Sequence, residues 1–275
     1  MAQFNVSVQG EVPEEEINRI VETIALLYRK SPFGTPNSLE IVVVDTISRR
    51  EKMMREEEKK LGIKVSEDYP VTHEAWWGTP RIVACVESLA RLAPIIARAS
   101  ILVAAAHSIL HGSQEYYRYR LSPEAVRRGR EKGWDTEHLE RFLYLVASGI
   151  KNLAVAKLLV RCGFIPEHTN LALEQLDLEE SEKSLWKFIE GNAIGRALYL
   201  ASLLKNILFA YPSIPYAPYL ATRIQEITSH LSASAAWQLR SLGMELAQTF
   251  PGDSKSFFLP AFERAWSKFV EGEIL

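Results

Sequence analysis

Hydrophobic positions along the chain follow two different spacings, and the change between them falls near residue 89. Upstream of it, the β-branched run Leu39–Val44 is bounded by turn residues and predicts a buried strand. The segment Ile82–Val86 has a similar composition and predicts a second strand. Amphipathic stretches at about 12–30 and 48–61 predict helices, so this part of the chain alternates helix and strand.

Downstream of residue 89, hydrophobic residues recur at helical spacing almost without interruption. The pattern predicts an α+β protein that is predominantly helical, with a small N-terminal sheet followed by a C-terminal helical body. The polar, basic connection near residue 120 divides the chain into 1–120 and 121–275, although the two parts also fit one continuous domain. The predicted helices span about residues 89–118, 136–162, 181–209, 217–249 and 258–271.

Composition and charge exclude several classes of function. Lys and Arg total 32 against 34 for Asp and Glu, so the formal net charge is −2 and no whole-molecule field favours nucleic acid. Residues 1–10 have neither a basic start nor an apolar run, and ionisable residues interrupt the longest apolar stretches. Neither a secretory signal nor a membrane span is therefore expected. Cys85 and Cys162 fit reduced core thiols, and a cytoplasmic protein is predicted.

The pair His107 and His111 is the most informative local feature. The apolar helix that contains them predicts that both imidazoles lie along one edge of its hydrophobic stripe, one turn or roughly 6 Å apart. Two imidazole nitrogens at this spacing can converge on one divalent ion, and the small residues Ser100 and Ala104 leave space on the same flank. The same spacing also suits two histidines that hydrogen-bond to each other or to the protein without a metal.

The segment His107-Ser108-Ile109-Leu110-His111 resembles the HExxH motif of the zincin metallopeptidases, especially the gluzincins, whose motif lies on a helix after a peptide-binding strand. The resemblance covers about residues 39–163, less than half of the chain, and this segment is its one local motif. It implies that His107 and His111 bind zinc and that the N-terminal sheet packs on a zincin-like active helix. It also implies a peptide-pairing edge strand formed by Ile82, Val83, Ala84, Cys85 and Val86.

The motif departs from the family at its second position, where Ser108 replaces the glutamate that takes a proton from the zinc-bound water. A serine is uncharged near pH 7 and has a shorter reach, and general-base help is worth about 10²–10⁴-fold in rate. The departure therefore implies impaired hydrolysis. Glu74 and Glu87 are the acids that could supply a general base from elsewhere in the chain.

A catalytic zinc needs a third protein ligand, which in gluzincins is a glutamate on the following helix. If that helix forms an antiparallel hairpin with the histidine helix, its facing residues lie near 144–152, where no carboxylate occurs. Glu115, one turn beyond His111, is the first candidate, provided that Gly112 bends the helix. His138 is the second candidate.

Together these features predict a metallopeptidase-like protein that binds zinc through His107 and His111, accepts a peptide or protein ligand and lacks efficient hydrolysis. Two alternatives stay open. One is a metal-free helical interaction or regulatory module in which the histidine pair is structural, and the other is an active zinc peptidase with a displaced carboxylate. The apolar helices also allow a homo-oligomer.

Overall fold

A computed structural model describes residues 2–61, 69–118 and 120–272. The protein is 67% helical and carries a small four-stranded mixed sheet near its N-terminus. The predicted class, α+β with helix dominant, is therefore confirmed.

Contacts within the chain define two compact units. Unit 1 contains Met1–Tyr117 and Arg161–Asn170, and unit 2 contains Arg118–Val160 and Leu171–Leu275. The sheet and the histidine pair both belong to unit 1. The short segment from Arg161 also belongs to unit 1 although it comes late in the chain, which hydrophobic spacing alone does not predict.

The sheet of unit 1 is parallel except at one edge. Its order is β1-β2-β4-β3, in which β1, β2 and β4 run parallel and β3 is antiparallel to β4. Strand β2 confirms the strand predicted from the β-branched run that begins at Leu39. The strands are β1 (Gln3–Gln9), β2 (Ser38–Val44), β3 (Val71–Glu74) and β4 (Arg81–Cys85).

The strand predicted at the edge of the sheet is an inner strand. β4 lies between β2 and β3, and all five of its residues are buried, as expected for a strand covered on both faces. The prediction that Ile82–Val86 forms the edge is therefore wrong, and Val86 already begins the short helix α3 (Val86–Ala90). The edge next to β4 belongs to β3, whose four residues carry too little hydrophobic pattern to predict a strand.

Helices cover both faces of this sheet. On one face α1 and α4 pack against each other, and the ring of Tyr28 on α1 meets Phe4 of β1 at 5.2 Å between centroids. On the other face α2 contributes Met53, which packs on buried valines of β2 and β4. These helices are α1 (Glu14–Lys30), α2 (Ile47–Leu61) and α4 (Pro94–Leu110).

The chain from Pro123 onward forms a series of helices, and two of the long helices predicted there are each divided in two. The side chain of Asn192 caps α9 by accepting from the backbone N–H of Gly195 at 3.0 Å, and Ser232 caps α11 in the same way. The helices are α5 (Pro123–Glu131), α6 (Thr136–Arg161), α7 (Ile165–Gln175), α8 (Glu180–Ile189), α9 (Ala193–Ala210), α10 (Tyr219–Ile227), α11 (Ala233–Thr249) and α12 (Ser254–Trp266).

Helix α6 and the segment Ala193–Ser213 are long and apolar enough, by length and composition, to cross a membrane. However, 78% and 50% of their apolar windows are buried inside the protein. In α6, for example, Phe142 belongs to an aromatic cluster with Trp134, Phe262 and Trp266. Core helices of folded domains meet the same criterion, so these two segments are weak evidence for a membrane span, and the cytoplasmic location stays a prediction.

Candidate functional site

The histidine pair lies at the C-terminal end of α4. The helix ends at Leu110, and His111 is its C-cap residue, whose backbone N–H donates to the carbonyl of His107 at 2.7 Å. The Nδ1 atoms of His107 and His111 are 3.0 Å apart, and their ring centroids are 5.1 Å apart. His111 is buried, with 1% of its surface exposed, whereas His107 is half-buried. The structure thus brings the two rings together at a point that solvent reaches through His107.

The short distance between the two Nδ1 atoms is compatible with two chemical states. Without a metal, a neutral pair forms a hydrogen bond in which one Nδ1–H donates and the other Nδ1 accepts. With a metal, both Nδ1 atoms are unprotonated ligands, and tetrahedral zinc with Zn–N bonds of 2.0–2.1 Å would hold them about 3.3 Å apart. The observed 3.0 Å is close to the separation that each state requires.

A third histidine, His73 of β3, lies beside the pair. Its ring stacks on the ring of His107, with 6.1 Å between centroids and an interplanar angle of 9°. We call His73, His107 and His111 the histidine cluster. Sequence reasoning missed His73 because β3, the strand that carries it, was not predicted.

Side chains from the segment after α4 contact β3 and the turn that follows it. The Tyr117 hydroxyl lies 2.7 Å from Nδ1 of His73, and the Tyr117 ring contacts Trp76 at 4.8 Å between centroids. The side-chain amide of Gln114 donates to the backbone carbonyl of Trp76 at 2.6 Å. These contacts hold Tyr117 and Trp76 beside His73 of the histidine cluster.

The turn directly after His111 requires a glycine. A Cβ atom at Gly112 would lie 2.5 Å from the carbonyl oxygen of Ser108 and 3.3 Å from Cβ of Pro80. Glycine therefore allows the chain to leave α4 closely packed against its own last turn. The turn leads to Tyr116, whose ring meets His111 edge-on at 5.1 Å.

Ser108, at the position that the general base occupies in zincins, faces away from the histidine pair. Its side chain is buried and donates to the carbonyl of Ala105 at 2.8 Å, so the Tyr28 hydroxyl at 2.7 Å is the donor in their mutual hydrogen bond. Burial raises the pKa of Tyr28 to about 12. Ser108 is thus part of the packing between α1 and α4, and its hydroxyl is committed there.

Glu74, a candidate for a displaced base, points to the opposite face of the sheet from His73, because successive strand residues alternate. It is 3% exposed and forms an ion pair with Arg81, its partner in the register of β3 and β4. Arg81 also binds Glu57 of α2, with Nη1 to Oε1 at 2.8 Å. Burial raises the pKa of Glu74 in spite of the opposing effect of Arg81. The structure therefore does not bring Glu74 to the histidine pair.

Glu87, the other candidate for a base, is bound at the start of α2. Its carboxylate accepts the backbone N–H of Ile47 at 2.9 Å and forms an exposed ion pair with Arg91. The hydrogen bond from Ile47, reinforced by Arg91, lowers the pKa of Glu87. The carboxylate of Glu87 is therefore engaged at the start of α2.

The two predicted third ligands do not complete a metal site. Because α4 ends at Leu110, Glu115 lies in a separate 3-10 turn, and the prediction of a continuous helix to residue 118 is wrong. His138 belongs to unit 2, where its Nδ1 lies 2.7 Å from the carboxylate of Asp135. Across residues 2–61, 69–118 and 120–272, no group of three or more His, Cys, Asp or Glu side chains is positioned to hold a metal ion.

Comparison with known proteins adds no relative. Neither the known protein families, nor the characterised proteins, nor the solved structures gave a match to this chain. The zincin resemblance therefore rests on the local segment from His107 to His111.

Proposed function

We propose that this chain is a zincin-like metal-binding protein that lacks efficient peptide hydrolysis. The observation that supports this best is the 3.0 Å separation between the Nδ1 atoms of His107 and His111. Two imidazole nitrogens this close are a suitable start for binding zinc, which accepts histidine nitrogen in tetrahedral sites. The half-buried position of His107 gives an ion and its water ligands a route to the pair.

The surroundings of the pair argue against efficient catalysis. When bound, zinc would lower the pKa of a coordinated water and polarise a carbonyl group, but hydrolysis also needs a general base beside it. The hydroxyl of Ser108 is committed to Ala105 and Tyr28, and Glu74 is committed to Arg81 on the other face of the sheet. Neither of these side chains can take a proton from a water held by the histidine pair.

The predicted peptide ligand fits β3 better than β4. β3 is the edge strand of the described sheet next to β4, and edge strands are where extended peptides pair with a sheet. It is also the strand that carries His73 beside His107. We therefore assign the peptide-pairing role to β3 within this proposal.

A metal-free interaction module is the second candidate, and one specific observation favours it. The direct contact satisfies both Nδ1 atoms if one of them carries a hydrogen and donates it to the other. In this alternative His107 and His111 stabilise the end of α4, and the edge of β3 binds a partner without any ion. Metal content separates the two candidates.

The experiment compares the zinc content of the purified full chain, measured by elemental mass spectrometry, with that of a His107→Ala/His111→Ala variant. We expect about one zinc per wild-type chain and negligible zinc in the double variant, because the variant lacks two of the three or four protein ligands that a zinc site needs. His138→Ala is the matched control, because His138 is an exposed histidine outside the cluster. Equal and negligible zinc in all three proteins would contradict the proposal and favour the metal-free module.

Peptidase activity is tested on the same proteins with casein and a quenched peptide. We expect no cleavage that a chelator suppresses. Chelator-sensitive cleavage that disappears in the double variant would instead establish an active peptidase with a displaced carboxylate.

A further inference from the structure

We propose that His73 is the third metal-binding imidazole and that Tyr117 orients it, so that a divalent ion draws the whole histidine cluster together. This inference rests on the proposed function, because it presupposes that His107 and His111 bind a metal. It differs from the ligand set that the zincin resemblance implies, in which the third donor follows the motif helix.

The spacing of the rings supports a site with three nitrogen donors. Around a tetrahedral zinc, two ligand rings have centroids about 5 Å apart. His107 and His111 have centroids 5.1 Å apart, and His73 and His107 have centroids 6.1 Å apart. The pair therefore already has the required spacing, and His73 needs to approach by about 1 Å.

The approach of His73 requires a side-chain movement and leaves the strand in place. The backbone of β3 is held in register with β4, where His73 pairs with Ile82. The His73 ring is half-buried, at the sheet edge, and stacks almost parallel on His107. A rotation about its side-chain torsions therefore carries a ring nitrogen towards the pair, which explains why three donors do not converge in the described residues without an ion.

Tyr117 places its hydroxyl at Nδ1 of His73, so Nε2 is the nitrogen that would bind the ion. Its hydroxyl lies 2.7 Å from Nδ1. When Nδ1–H donates to this oxygen, Nε2 is unprotonated and is the nitrogen that can bind a metal. A hydrogen bond from the second ring nitrogen to a neighbouring acceptor is the usual way in which proteins orient a metal-binding histidine. Trp76 packs on the Tyr117 ring and so holds the acceptor in position.

Three neutral imidazoles select a class of ion. Imidazole suits Zn²⁺, Cu²⁺, Ni²⁺ and Co²⁺, whereas Mg²⁺ and Ca²⁺ prefer oxygen donors. Three protein ligands also leave a fourth tetrahedral position for water. The site proposed here is thus one for a borderline divalent transition metal with one exchangeable water.

The test is zinc titration of the full chain, followed by the visible absorption of its Co²⁺ form, for wild type, His73→Ala, Tyr117→Phe and His138→Ala. We expect His73→Ala to weaken zinc binding by at least about 100-fold and Tyr117→Phe by about 10-fold, because loss of an orienting partner costs about 10–100-fold. We also expect His73→Ala to abolish the intense absorption of tetrahedral Co²⁺. His138→Ala should leave both readouts unchanged, and far-ultraviolet circular dichroism checks that each variant is folded.

The outcomes separate this inference from the proposed function. If wild type binds zinc and both His73→Ala and Tyr117→Phe bind it equally well with the same Co²⁺ spectrum, His73 is not a ligand, while the His107–His111 pair stands. If wild type binds no zinc, both proposals are overturned. If His73→Ala fails to fold, a Tyr117→Phe protein with wild-type zinc affinity overturns the inference by itself.

Discussion

The hydroxyl of Tyr28 on α1 donates a hydrogen bond to the hydroxyl of Ser108 on α4, 2.7 Å away and shielded from solvent. The two residues are 80 positions apart in sequence, and their hydrogen bond joins the two helices that cover one face of the sheet. It explains why Ser108, at the place that the general base occupies in zincins, has a role in packing. Position 108 faces α1, while positions 107 and 111 face β3 and the turn after α4.

The Tyr28–Ser108 hydrogen bond should appear as a coupling in a double-mutant cycle. We expect Tyr28→Phe and Ser108→Ala each to lower the free energy of unfolding by about 1 kcal/mol, with a coupling energy of similar size between them. Urea denaturation of wild type, both single variants and the double variant measures it. Strictly additive effects would contradict the contact.

Placing the family's glutamate at position 108 should not create a peptidase. In Ser108→Glu the carboxylate would enter a site that is 1% exposed and next to α1, so we expect a loss of about 3 kcal/mol or more in the free energy of unfolding and no gain of chelator-sensitive cleavage. Ser108→Ala is the matched control and should lose far less. A stable, active Ser108→Glu protein would show that position 108 faces the metal after all.

The buried carboxylate of Glu74 should make wild type less stable as pH rises. Its pKa is raised by burial, so its favourable contribution is fully present below the pKa of the unfolded chain and is lost as pH rises through the folded value. Glu74→Gln removes this term. We therefore expect the stability of Glu74→Gln relative to wild type to improve as pH rises above the pKa of an unfolded glutamate, about 4.3, measured by urea denaturation at each pH.

Glu87→Gln is the control, for which we expect the opposite pH dependence of stability relative to wild type. The pKa of Glu87 is lowered, chiefly by the backbone N–H of Ile47, so its contribution is present above the unfolded pKa and is lost as pH falls. The stability of Glu87→Gln relative to wild type should therefore worsen as pH rises. If both variants change in the same direction, the assigned environments of the two carboxylates are wrong.

Substitution of Gly112 should displace the ring of His111 although the histidine itself is not mutated. In Gly112→Ala the new Cβ would lie 2.5 Å from the Ser108 carbonyl oxygen, so the turn has to move, at a cost of about 1–3 kcal/mol. We expect weaker zinc binding together with a lower free energy of unfolding. Gly34→Ala is the control, since a Cβ at Gly34 has no atom within 4 Å, and it should leave zinc binding unchanged. Equal effects of the two substitutions would argue against a tight turn.

Local periodicity was sufficient to predict the elements with long hydrophobic patterns. The β-branched run at Leu39 and the apolar helix that carries His107 depend on residues close in sequence, so their spacing predicts them. The end of that helix was predicted too far along the chain, because Tyr116 and Tyr117 resume helical spacing beyond Gly112, where the chain turns. The divided helices after residue 181 show the same effect, because the caps Asn192 and Ser232 interrupt patterns that look continuous.

The order of the strands could not be derived from local patterns. β3 is defined by its pairing with β4, in which His73 lies opposite Ile82, and its four residues include one histidine and one buried glutamate. Without β3, the segment at Ile82 was assigned to the edge and His73 was not connected with His107. A fully buried strand such as β4 is nevertheless typical of a sheet interior, and that signal was present in its apolar sequence.

Because His111 lies at the end of α4, the two imidazoles of the pair are held in place by different parts of the chain. The carbonyl of His107 accepts the last backbone hydrogen bond of the helix, whereas the ring of His111 projects from the residue at which the chain turns towards Pro80 and Tyr116. The bite angle that the pair offers to an ion is consequently set by loop packing as well as by helix geometry. If the pair binds a metal as proposed, substitutions at Pro80 should therefore change its affinity while every donor atom and the whole of α4 are retained.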